Sequence, residues 1–198
     1  MARRARKEIV APNQIYHIVA RGNNERRIFR SSRDYRKFIL ILKDAKDKFP
    51  FYFYCFSLMP YHYHLQIETR EVPISKIMHR INFLYAIYFK KRYRRSGHLF
   101  QDRFYSSPIN KESYFWEAAR YIDLNPVRAN LAKSPEEWKW GSFRHYFYKE
   151  DKDNLLNMEK FLIFGGEDLE EARKNYIEYV KAGMQIKKTP DFISRKLV

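Results

Sequence analysis

Four side chains in this sequence combine type and spacing in a way that suits metal-assisted nucleophilic chemistry: His62 and His64, two apart, and Tyr121 and Asn125, four apart. Alternate side chains of a strand point to the same face, so His62 and His64 stand side by side if they lie on a strand. Two adjacent imidazoles can share one divalent ion. Residues four apart on a helix share a face, which puts the Tyr121 phenol beside the Asn125 carboxamide. A tyrosine is a weak nucleophile, because with a reference pKa near 10 only about 0.1% is phenolate at neutral pH. A bound divalent cation that polarises a phosphate ester offsets this weakness. Phenol is also a tolerable leaving group, so the covalent step reverses, which suits strand transfer better than hydrolysis. The bland alternatives are a structural histidine pair, a packing tyrosine among 16 in the chain, and an asparagine that ends a helix ahead of Pro126.

These groups must be positioned by a regular frame. Residues 14–20 are β-branched and aromatic, and read as a strand that Arg21-Gly22-Asn23-Asn24 breaks. Ser31 or Ser32 caps a helix whose apolar stripe is Tyr35, Phe38, Ile39, Leu42 and Ala45, and Phe49-Pro50 stops it. Residues 51–58 and His62 to Thr69 read as an antiparallel strand pair interrupted at Met59-Pro60-Tyr61. A long helix follows from about Ser75 to Tyr93, with Ile74, Ile77, Met78, Ile81, Leu84, Tyr85 and Tyr88 at helical spacing. Residues 98–109 suggest one or two short strands, and Asn110 caps a third helix running to about Leu124. The order strand, helix, strand, strand, helix, strand matches the ferredoxin-like split βαβ plan. The expected fold class is therefore α+β: an antiparallel sheet with helices on one face. Residues 1–148 form the principal domain. Residues 149–154 look like an exposed connection, and Leu169, Ala172, Tyr176, Tyr179 and Val180 suggest a helix in the C-terminal extension, 149–198.

Composition narrows the partners. The 198 residues carry a net charge of +16, which points first to nucleic acid and second to an anionic membrane surface. No apolar run of roughly 18 residues exists to span a bilayer. The N-terminal Arg3-Arg4-Ala5-Arg6-Lys7 run lacks the apolar stretch of a signal peptide, so the expected location is cytoplasmic. The single cysteine, Cys55, rules out an internal disulfide and a thiolate-rich zinc site. Cations and aromatics interleave at Arg26-Arg27-Ile28-Phe29-Arg30, along 90–95, and at Arg103-Phe104-Tyr105. Such clusters can follow a phosphate backbone while the rings stack on unpaired bases.

Leu58-Met59-Pro60-Tyr61-His62-Tyr63-His64-Leu65 resembles the M-P-N-H-Y-H-L signature of IS200-like transposases, and the chain is similar to their REP-associated tyrosine branch. Four further segments agree in the family's order: residues 16–24, 97–104, 121–129 and 138–143. The resemblance covers about residues 14–147. It implies a ferredoxin-like HUH endonuclease fold that cleaves hairpin-bearing single-stranded DNA with Mg²⁺ or Mn²⁺. It implies His62 and His64 as metal ligands, completed by Asn125, and Tyr121 as the nucleophile that becomes 5′-phosphotyrosyl. Arg21, Asn23, Asn24, Arg26, Arg27, Lys90, Lys91, Arg92, Arg94, Arg95, Arg103 and Arg128 are the candidate DNA contacts. Tyr61 departs from the signature, standing where the family has Asn between Pro and His. Related proteins act as monomers or as homodimers.

Two other readings use the same residues. A non-catalytic single-stranded nucleic-acid-binding module on the same fold accounts for charge and aromatics, but has no need to keep all four chemical groups. A hydrolytic metallonuclease uses the histidines and leaves Tyr121 idle.

Overall fold

The computed structural model describes residues 13–109, 113–151 and 154–185. Seven elements follow in the expected order: β1 (Ile15–Arg21), α1 (Ser32–Lys48), β2 (Phe51–Leu58), β3 (His62–Thr69), α2 (Ile74–Tyr93), β4 (Tyr105–Pro108) and α3 (Ser113–Arg128). The strands form one antiparallel sheet in the order β2-β3-β1-β4. β3 is inserted between β1 and β2, which is the split βαβ arrangement. Among the described residues no helix is long and apolar enough to cross a membrane.

Strand register decides which side chains share a face. Arg21 pairs with His62, Val19 with His64 and His17 with Gln66. Directly opposed residues lie on the same side of a sheet. One face therefore carries Arg21, His17, His62, His64 and Gln66, and the other carries Ile18, Ala20, Tyr63, Leu65 and Ile67. α1 and α2 cover the second face: the Phe38 ring lies 4.8 Å from Tyr63, whose hydroxyl donates to Asn82 at 2.5 Å. These two helices keep to one face, as the sequence pattern implied. α3 and the later helices cover the opposite face, where Gln66 Nε2 donates to the Phe115 carbonyl at 3.1 Å. The reason lies in β3, where every residue from Tyr63 to Thr69 is buried. A strand buried on both sides needs a layer on each.

The α1 stripe faces the core through Tyr35, Phe38, Leu42 and Ala45, joined by Ile41. Its N-terminus is held by Asp34, whose carboxylate accepts from the Arg30 and Ser31 amides at 2.8 and 2.9 Å. α3 runs past its expected end at Leu124 and includes Pro126. Proline removes one backbone donor, and here the helical turn continues because Ala129 donates to Asn125 at 3.0 Å. The start expected at Asn110 lies outside the described residues.

Beyond α3, Leu58 donates to the Trp140 carbonyl at 2.9 Å and Ser142 to that of Phe56 at 2.8 Å, so this segment pairs along the free edge of β2. Three helices follow: α4 (Phe143–Tyr148), α5 (Met158–Leu162) and α6 (Leu169–Ala182). α6 is the helix expected from the apolar spacing, and it buries Ala172, Tyr176 and Val180. In the connection ahead of α5, Lys149, Glu150 and Asn154 are exposed, and residues 152 and 153 lie outside the described residues.

Candidate active site

β3 starts directly after the Met59-Pro60-Tyr61 turn, so His62 and His64 sit at one end of the sheet and face α3. Their ring centroids are 4.9 Å apart. α3 crosses with its C-terminal half over this end. The Tyr121 ring meets His64 edge-on at 5.7 Å. One turn later, the Asn125 side chain comes close to both His62 and His64. Its amide nitrogen donates to the Tyr121 carbonyl at 3.3 Å, so the amide oxygen is the atom of this side chain that could serve a cation. The four residues picked out by spacing therefore converge.

The site's electrostatics favour neutral histidines. Burial, reinforced by the positive charge of Arg21, lowers His62 to about 4. His64 is pushed well below the usual range by burial first, and then by His62, His17 and Arg21. A neutral imidazole keeps the lone pair that a metal needs. Sequence reasoning did not single out the third histidine here. His17 is fully buried, and its Nε2 lies 3.0 Å from His64 Nδ1. The two rings stack at 5.2 Å, and His17 also meets Tyr121 edge-on at 5.9 Å. Burial lowers His17 to about 3. Its Nδ1 is buried without a hydrogen-bond partner. The signal available in the sequence was a lone polar residue inside a β-branched strand, four before Arg21 and so on the same face.

His64 thus spends Nδ1 on His17 and keeps Nε2 for the site. Two neutral imidazoles and one amide oxygen form a donor set that fits a divalent cation. Among the described residues, no three His, Cys, Asp or Glu side chains gather to hold a metal. The set reaches three only through the Asn125 oxygen. That composition leaves coordination positions to phosphate oxygens and water, as Mg²⁺ and Mn²⁺ prefer, and does not resemble a closed structural zinc site.

The candidate DNA contacts fall into groups. Arg21 ends β1 beside His62, and Asn23, Asn24, Arg26 and Arg27 follow in the loop. This loop folds tightly: a Cβ on Gly22 would lie 2.1 Å from the Arg26 carbonyl oxygen, so glycine is required there. Arg128 sits over the Tyr121 ring at 5.3 Å. α2 runs back from the far end of β3, so its exposed Lys90, Lys91, Arg94 and Arg95 return to the site's end of the sheet. Arg92 is engaged differently, pairing at 3.2 Å with the buried Asp34. Arg103 is exposed just before β4.

A second polar cluster lies behind α3. Asp123, between Tyr121 and Asn125, turns away from the histidines. Its carboxylate accepts from Tyr176 at 2.6 Å, Ser142 at 2.8 Å and Cys55 at 3.2 Å, all buried. It joins α3 to β2, to the start of α4 and to α6. Sequence reasoning did not find it, because its members are scattered from position 55 to position 176.

Residues 10–125 match the family described as Transposase IS200 like. No curated protein matches the chain. Among solved structures, the chain is similar to a REP-associated tyrosine transposase bound to a REP hairpin, with a TM-score of 0.62 and 18% identity. The alignment covers 75% of this chain and 87% of that one, and at this identity it speaks for the shared fold. With its signature residues gathered at one end of the sheet and the family match spanning more than half its length, this chain belongs to the IS200-like transposase family.

Proposed function

We propose that the chain is a single-strand DNA transesterase that opens and rejoins DNA beside a hairpin, with Tyr121 as nucleophile. The observation that carries this reading is the convergence of His62, His64, Tyr121 and Asn125 from β3 and α3, with the Tyr121 ring 5.7 Å from His64. The solved relative's REP hairpin suggests the kind of substrate.

In the proposed step the Tyr121 oxygen bonds to the scissile phosphorus and the P–O3′ bond breaks. The product is a 5′-phosphotyrosyl enzyme and a free 3′-hydroxyl, the proton lost by the phenol being balanced by the one the leaving oxygen gains. Attack by a 3′-hydroxyl reverses it. Bound at His62, His64 and Asn125, Mg²⁺ or Mn²⁺ would polarise the phosphate. Arg21 and Arg128 place positive charge beside the reacting atoms.

The test is incubation with hairpin-bearing oligonucleotides and Mn²⁺, followed by denaturing electrophoresis. A protein–DNA adduct is expected, and Tyr121→Phe should lose it by about 10³-fold or more while still binding DNA. Adduct formation by Tyr121→Phe would remove this nucleophile. The double variant His62→Ala, His64→Ala should lose metal-dependent cleavage and keep binding. Intact binding by the unaltered chain with no adduct on any structured strand would favour the binding-module reading.

A further inference from the structure

The Met59-Pro60-Tyr61 turn ahead of His62 is locked in place. The Pro60 carbonyl accepts from Ile28 and Phe29 at 2.8 and 3.1 Å, and the Tyr61 carbonyl accepts from Gly22 at 2.8 Å. On this fixed turn Tyr61 is left 45% exposed, directly ahead of His62. It is also held in a defined orientation. Arg27 Nε donates to the Tyr61 hydroxyl at 3.2 Å, and the guanidinium lies 5.5 Å from the ring centroid. A cation above one side of the ring fixes it without burying it.

The surroundings repeat the pattern of ring and cation. Arg27 is within electrostatic reach of Tyr35. Tyr35 stacks on Trp140 at 4.6 Å with the planes only 7° apart. Lys139 lies 5.0 Å over the Trp140 ring. Of these rings Tyr35 is buried, so the exposed pair of ring and cation next to the site is Tyr61 with Arg27. Bases of an unpaired strand stack on such rings while its phosphates meet the cations.

We propose that Tyr61 is a stacking platform for one unpaired nucleobase, that of a nucleotide flanking the phosphate held at His62 and His64, with Arg27 setting the ring and meeting the strand's backbone. This deepens the transesterase reading and rests on it for where the strand lies. It makes Tyr61 a specificity-determining residue of this chain, since its place at the rim is one residue from a metal-site histidine.

The test uses the full chain carrying Tyr121→Phe, so that binding is read without turnover. The probes are DNA hairpins with unpaired flanks in which one flank base at a time is 2-aminopurine. Fluorescence is expected to be quenched at one flank position. Adding Tyr61→Ala or Tyr61→Asn should abolish that quenching and weaken binding by about 5- to 150-fold, the range of one base–aromatic stack. Tyr61→Phe keeps the ring and should keep the quenching. An abasic site at the same position should weaken binding to the parent by a similar factor and leave the affinity of the Tyr61→Ala protein unchanged. Circular dichroism checks that each variant is folded. Quenching and affinity unaltered by Tyr61→Ala, or no quenched flank position in the parent, would overturn the platform. Absence of an adduct when Tyr121 is present would instead overturn the transesterase reading, and the quenching would still judge the platform.

Discussion

At His64 the two ring nitrogens have separate roles. Nδ1 is held 3.0 Å from His17, and this contact sets both the tilt of the ring and which nitrogen faces Tyr121 and Asn125. Partners of this kind usually matter about 10- to 100-fold for metal affinity. His17→Ala should therefore raise the Mn²⁺ concentration needed for adduct formation by roughly that factor. Calorimetric titration of Mn²⁺ should show the same loss directly. Wild-type Mn²⁺ affinity in this variant would reduce His17 to a packing residue. The two histidines also sit at different depths. His62 is the last position at which β3 can reach the sheet end, and His64 is one pleat further in, under Tyr121.

At the scale of the element, α3 works on two sides. Tyr121 and Asn125 face the histidines, and Asp123, near the opposite side of the turn, is anchored by Tyr176, Ser142 and Cys55. Burial raises the Asp123 carboxyl to about 6, and hydrogen bonds from Tyr176, Ser142 and Cys55 pull against that rise. Tyr176→Phe removes one of these donors and leaves a buried carboxylate short of a partner. The expected loss is about 1.5–3 kcal/mol, to be measured by urea unfolding. Because the helix that loses its anchor also carries Tyr121, adduct formation should slow even where the protein remains folded. An unchanged unfolding midpoint would show that the Tyr176 bond contributes nothing.

For the whole molecule the buried histidines predict acid sensitivity. His17 is lowered to about 3 and His62 to about 4, both chiefly by burial, and His64 is pushed in the same direction. Unfolded, each would take up its proton near pH 6.5, as ordinary histidines do. Between that value and about 4 the unfolded chain binds protons that the folded chain refuses, so stability is complete above about 6.5 and falls as pH falls. Asp123 opposes this, since folded it binds its proton at about 6, before an unfolded carboxyl does. Three histidines against one carboxyl leave a net slope of at most roughly 3 kcal/mol per pH unit. Urea melts across this range should show the midpoint dropping steadily with acid. A flat profile would mean that the histidines are protonated in the native state.

The sequence by itself determined the element order, the helix stripes, the shared face of His62 and His64, and the pairing of Tyr121 with Asn125. These are local properties: the period of two along a strand and of about 3.6 along a helix places side chains without knowledge of what lies opposite. The motif order added the family. Only the tertiary structure decided that α3 lies on the face of the sheet that α1 and α2 leave open, which is what brings Tyr121 against His64 across 57 positions of sequence. It also brought in His17 through strand register and Asp123 through packing against α6, and it carried α3 through Pro126 where a local rule ended it. Register and packing are set by which buried groups find partners, and those partners are distant along the chain.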